Sequence, residues 1–267
     1  MRAFVICGLA AVSAAAAIPS GSAQTVREGE RPLKDPFGIV QIGQRLLVTD
    51  RKANAVLVVD AAAHRLRVLT RLRRPTAITQ FDNTHALVAT GRTIVRVDVR
   101  NGRTKTVAHV SRGPIYGLVA GPDGIYAASA EGSSVVHIDA RGKTHVVLAN
   151  RSGIHGLLLQ GHTLVVCESF AIRFFTFDLN KNLVGLTIST VQTPSGVAPA
   201  PSGWYVSEYS FGGVYLVHRD GTAKVLLHVP HVYSLAPSTG GTLVATTMNG
   251  QVVRIYPQTG AVASIIR

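Results

Sequence analysis

A unit of about 40 residues recurs six times along this chain, and that period limits the possible folds more than any other feature of the sequence. Each unit is marked by a small residue followed by an aliphatic one. These pairs are Gly38-Ile39, Ala77-Ile78, Gly117-Leu118, Gly156-Leu157, Gly196-Val197 and Ser234-Leu235, spaced by 39, 40, 39, 40 and 38 residues. A turn and a second apolar run follow, as in Pro201-Ser202-Gly203 before Trp204-Tyr205-Val206. A third run comes after a polar or glycine-rich loop, for example Val135-Val136-His137-Ile138. Asn101-Gly102, Arg141-Gly142, Asp220-Gly221 and Thr259-Gly260 then supply the positive φ of a tight turn, and a more variable fourth run closes the unit. Four short antiparallel strands at this period make one propeller blade, whereas a helical solenoid would need a 3.6-residue apolar period and a parallel β-helix a shorter repeat. The chain is therefore expected to be all-β: a six-bladed β-propeller, four antiparallel strands per blade, over residues 36–267 as one domain.

The stretch from Val48-Thr49-Asp50 through Ala53-Asn54-Ala55 to Val58-Val59-Asp60 resembles the NHL-type propeller repeat. Val206-Ser207-Glu208-Tyr209 with Gly213-Val214 resembles the repeat of streptogramin (virginiamycin B) lyases. The similarity covers all six units and is also the general pattern of SMP-30/gluconolactonase-like and strictosidine-synthase-type propellers. It implies an architecture far more specifically than an activity. A gluconolactonase-type metal site would imply asparagine and acidic ligands immediately before the anchors, but that column reads Phe37, Thr76, Tyr116, His155, Ser195 and Tyr233. A streptogramin-lyase-like activity would imply His and Glu on one face, with which His155 and Glu168 are compatible. Those lyases resemble seven-bladed rings, one blade more than the six counted here.

Residues 1–23 carry Arg2, an apolar stretch from Ala3 to Ile18, then Pro19, Gly21 and Ala23, the layout of a cleavable signal peptide. The stretch is short of the roughly 18–20 residues of a spanning helix, so the mature protein is expected to be periplasmic or secreted and not transmembrane. Residues 24–35 form an N-terminal segment, and whether a strand from it closes the ring is open. Cleavage leaves Cys167 alone, read as a buried inert thiol, so no disulfide staples the fold. The formal charge of +13 suggests anionic surroundings, a lipid surface or an acidic glycan, and export argues against nucleic acid. The densest basic run, Arg65, Arg67, Arg71, Arg73 and Arg74, falls at an outermost strand, where charge discourages edge pairing. A monomer is expected.

The loop entering the first strand and the loop leaving the second lie at one end of each meander, here called the top. Thirteen residues after each column residue stand Asp50, Ala89, Ser129, Glu168, Glu208 and Thr246, at the ends of second strands. This offset places His155, Glu168, Ser195 and Glu208 in two adjacent blades, as near neighbours. His155, Glu168 and Glu208 are the catalytic candidates, and Phe37, Asp50, Tyr116, Ser195 and Tyr233 the ligand-binding ones. The residues name no cofactor outright, but Asp50, Glu168 and Glu208 together would suit Ca²⁺. The competing reading gives each acid a loop-shaping role, accepting backbone N–H groups. Two functions follow: a module that binds a small molecule or envelope protein through its top face, or a hydrolase or lyase using the top-face Glu and His.

Overall fold

The computed structural model describes residues 33–129 and 131–266; the signal peptide expected at residues 1–23 and most of the 24–35 segment lie outside them. Six four-stranded antiparallel sheets follow one another along the chain, at 36–71, 75–109, 115–149, 154–188, 194–228 and 232–266, giving a six-bladed β-propeller. The strand nearest the axis is the first of each blade, from Pro36–Ile42 in blade 1 to Val232–Pro237 in blade 6. The outermost strands are the most exposed, as in Thr104–His109, where Ala108 alone is buried.

Period-two alternation sends successive side chains of a strand to opposite faces, and here each face meets a different neighbouring blade. In the strand Arg45–Asp50, Leu46 and Val48 pack towards blade 6 while Leu47 packs towards blade 2. The apolar core is consequently six wedges, each filled from two adjacent blades. Cys167, fully buried, belongs to the wedge between blades 4 and 5, and burial pushes its thiol well above the usual range.

Blade 6 draws all four of its strands from 232–266, so no N-terminal strand completes it among the described residues. The ring closes by packing. Leu33, buried, joins Ile39 and Val48 of blade 1 to Val244, Val252 and Ile266 of blade 6. At Gly250, φ is +87° and a Cβ would stand 2.4 Å from the Leu33 carbonyl oxygen, so this close approach admits only glycine. No helix among these residues is long and apolar enough to cross a membrane.

The basic run divides at the end of its strand. Arg65, Arg67 and Arg71 lie on the outer strand Arg65–Arg71, as expected, but Arg73 and Arg74 lie beyond it, in the connection that crosses the top to blade 2. The reason is the backbone: Arg74 takes a positive φ of 46°, and its N–H donates to Asn54 Oδ1, turning the chain out of the sheet.

Candidate functional site

In all six blades the pairing of first and second strands slips at the same place, immediately before the anchor. A bulge there re-aims one side chain, and the residues it re-aims are the column Phe37, Thr76, Tyr116, His155, Ser195 and Tyr233. All but Thr76 line a cavity of about 260 Å³ along the axis.

Four of the six form a closed cycle of rings. Phe37 lies 5.2 Å from Tyr116, Tyr116 5.4 Å from His155, His155 5.9 Å from Tyr233, and Tyr233 4.6 Å from Phe37, between centroids. These are the separations of tilted and edge-to-face aromatic contacts, so the rings touch across the axis and floor the top of the channel. The remaining two, Thr76 and Ser195, stand in opposite blades and are buried; each hydroxyl donates to a carbonyl of the next blade, Ile115 O at 2.6 Å and Tyr233 O at 2.8 Å. Small residues at these two places leave the axis to the rings.

Burial holds His155 down at about 4, with the positive charge of Arg51 as the second cause, so the imidazole is neutral at pH 7. Its Nδ1 lies 2.9 Å from Ser169 Oγ, and its ring lies 5.5 Å from that of Phe170. Burial likewise raises the Tyr233 phenol. Arg51 sits over the Phe37 ring at 4.7 Å and is fixed by Asp35, 2.8 Å away. Sequence reasoning passed over Arg51, although it follows Asp50 directly and its position at a strand end was the available signal.

The carboxylates do not face the channel. Asp50, Glu168 and Glu208 have no exposed surface, and each is engaged by the connections of its own blade. Asp50 accepts from the N–H groups of Lys34 (2.6 Å), Asp35 (3.2 Å) and Ala53 (2.9 Å). Glu168 accepts from Ser152 N–H at 2.7 Å and from Arg173 Nε at 2.8 Å, with Arg173 Nη2 also 2.8 Å away in an ion pair. Glu208 accepts from Thr193 Oγ1 (2.6 Å), Ser210 N–H (2.9 Å) and Phe211 N–H (3.0 Å). The expected grouping of His155 and Ser195 with the two glutamates is therefore not one of hydrogen bonds: His155 meets Ser169, and Ser195 is tied to the next blade. Among the described residues no three His, Cys, Asp or Glu side chains stand close enough to hold a metal. Three acids that each complete a loop are a poor fit for Ca²⁺, since a ligand would have to give up the N–H groups it already accepts.

Around the ring floor the top loops divide into two halves. Those of blades 1 to 3 carry the exposed Lys52, Arg73, Arg74, Arg92 and Arg112. Arg51, Arg73, Arg74 and Tyr116 line one concavity of about 400 Å³ with Glu131. Those of blades 4 to 6 carry Phe170, Ile172, Phe211 and Met248, exposed by 65%, 40%, 75% and 40%. None of the apolar four was legible as a functional residue, because they are spread over three loops, one or two to a loop.

No family model matches the sequence, and no curated protein matches it. Solved structures do. A streptogramin B lyase superposes with a TM-score of 0.68 at 13% identity, over 92% of this chain and 87% of that one. A virginiamycin B lyase from Staphylococcus aureus gives 0.67 at 15% identity, over 92% and 88%. A chain of the nidogen/laminin complex gives 0.71 at 10% identity, over 80% and 90%. At these identities the shared property is the propeller fold.

Proposed function

We propose that this chain is an exported binding module that engages a ligand or protein partner through its top face. The observation that carries this reading is the use of the three strand-end carboxylates: Asp50, Glu168 and Glu208 all complete loops, which leaves a mouth of aromatic rings, arginines and apolar tips suited to contact. A similar propeller occurs in the nidogen/laminin complex, so the fold is compatible with a protein partner. Thermal unfolding in a small-molecule screen tests the reading. A ligand at 100 times its Kd stabilises by about 2.7 kcal/mol, or roughly 5–10 °C in Tm. The shift is expected to disappear in Tyr116→Ala and to survive in Phe81→Ala at the opposite end; the reverse pattern would defeat the proposal.

A lyase or hydrolase reading rests on His155, neutral at pH 7 and beside Ser169 Oγ, in a fold also used by streptogramin B lyase. A neutral imidazole can accept a proton, although the burial that holds His155 at about 4 makes it a weak general base. Turnover of ester, lactone or cyclic depsipeptide substrates that His155→Gln abolishes without moving Tm would favour this reading over the first.

A further inference from the structure

The division of the top face identifies the chemistry of its partner. We infer that the top face docks on an anionic lipid surface, the loop tips of blades 4 to 6 entering the bilayer interface and the arginines of blades 1 to 3 meeting headgroup phosphates. This deepens the binding reading above and rests on it.

Phe170, Phe211 and Met248 occupy the same loop, between second and third strands, in three consecutive blades. Phe211, 75% exposed, stands nearly free, and Phe170, 65% exposed, rests against Gly153 and the His155 ring and leaves its remaining surface to solvent. A pocket for a small ligand would wrap such side chains, whereas here each stands out on its own turn. Isolated apolar tips gain most from a medium that surrounds them on all sides, as the headgroup and acyl boundary does. The segments 169–172, 189–193, 209–212, 229–231 and 248–251 contain no Asp, Glu, Lys or Arg; the charges that border them in blade 4 are cations already engaged, Arg151 over the Phe175 ring and Arg173 paired with Glu168.

The other half supplies the charge complementarity. Lys52, Arg73, Arg74, Arg92 and Arg112 are exposed, and the one exposed acid on the described loops of blades 1 to 3 at this end is Glu131. Arg73 and Arg74 form no ion pair within 4.0 Å among the described residues, so their charge is available to a phosphate. The buried placement of Asp50, Glu168 and Glu208 serves the same end, since it removes three carboxylates from the approaching surface. The opposite end is of mixed sign: seven aspartates, from Asp60 to Asp220, lie there beside the exposed Arg100, Arg103, Arg141, Lys143, Lys181 and Arg219, so it presents no comparable cationic half to anionic lipid.

Co-sedimentation of the full chain without its signal peptide, with vesicles of phosphatidylcholine alone and of phosphatidylcholine with phosphatidylglycerol, tests the inference. Binding is expected only to the anionic vesicles and is expected to weaken as salt is raised. Arg73→Gln with Arg74→Gln removes two charges near the surface and is expected to weaken it about 30-fold. Phe170→Ser with Phe211→Ser is expected to weaken it about tenfold or more, and neither pair lies in the protein core. Phe81→Ser with Arg100→Gln at the other end is expected to change nothing. Failure of the wild type to bind anionic vesicles, with the Tyr116-dependent ligand shift intact, would overturn the lipid inference alone. Loss of binding in the Phe81, Arg100 variant, with the top-face variants unaffected, would overturn the top face as the binding surface. Binding kept by both top-face pairs and by the Phe81, Arg100 variant would leave net charge as the sole cause and would also overturn the inference.

Discussion

The two ends of this propeller use acidic residues in opposite ways. At the bottom, Asp98, Asp139, Asp178 and Asp220 stand on the turns between third and fourth strands. The N–H groups of Arg100, Lys143, Lys181 and Thr222 hold their carboxyls below the usual range. These acids are solvated, and each ties a turn of two to four residues. At the top, Asp50, Glu168 and Glu208 reach across to a separate connection, 15 to 16 residues away, and disappear from the surface. The bottom acids shape hairpins; the top acids shape the binding face and take their own charge out of it. An acid therefore marks a turn at either end, but only at the top does its burial decide what the surface presents.

The largest effect that would sharpen this comparison is loss of a top acid. Glu208→Ala leaves the N–H groups of Ser210 and Phe211 without their acceptor and is expected to cost roughly 3 kcal/mol, a fall in Tm of about 10 °C. A change in Tm near zero would break the comparison. The next effect is a pH response confined to the top. His155 sits at about 4 in the folded protein against an ordinary 6.5, so between those values the unfolded chain takes up a proton that the folded one refuses. Stability accordingly falls as pH drops from about 6.5 to 4, by up to roughly 3 kcal/mol, and is regained on raising the pH. Denaturant titrations across that window check it, and His155→Phe, which keeps a ring in the cycle, is expected to flatten the response.

The smallest effect belongs to the bottom. Asp220→Ala removes bonds only to the N–H and hydroxyl of Thr222 and is expected to lower Tm by no more than about 3 °C. The bottom acids also titrate in another window. Asp98 lies at about 2 against an ordinary 3.8, so its contribution is present above 3.8 and is lost as pH falls towards 2. A melting curve that already loses stability from pH 6.5 in His155→Phe would show that the two ends are not separable in this way.

Much of the architecture was open to reading along the chain. The repeat, the blade count, the column before the anchors and the thirteen-residue offset all follow from local patterning, because blades are built from neighbours in sequence. The offset did locate Asp50, Glu168 and Glu208 at the top ends of second strands, where they pair with Pro36, Ile154 and Pro194. It carried no information on which way those side chains turn. Their direction depends on N–H groups in another connection, and a strand-end acid looks the same in sequence whether it faces a loop or a mouth. Phe170 and Phe211 were illegible for a related reason: 41 residues separate them in sequence, and a single loop phenylalanine signals nothing until the neighbouring blade brings a second beside it.

The sequence by itself thus determined the number of blades, their strand order and the set of residues that meet at the axis, since a period of about 40 residues with alternating apolar runs has one economical way to bury itself. Tertiary structure alone decided that four of those axial residues close into a ring, that the three acids turn inward, and that cations and apolar tips separate into two halves of one face. Those outcomes depend on closing the ring, which sets side by side residues that the chain keeps a blade or more apart.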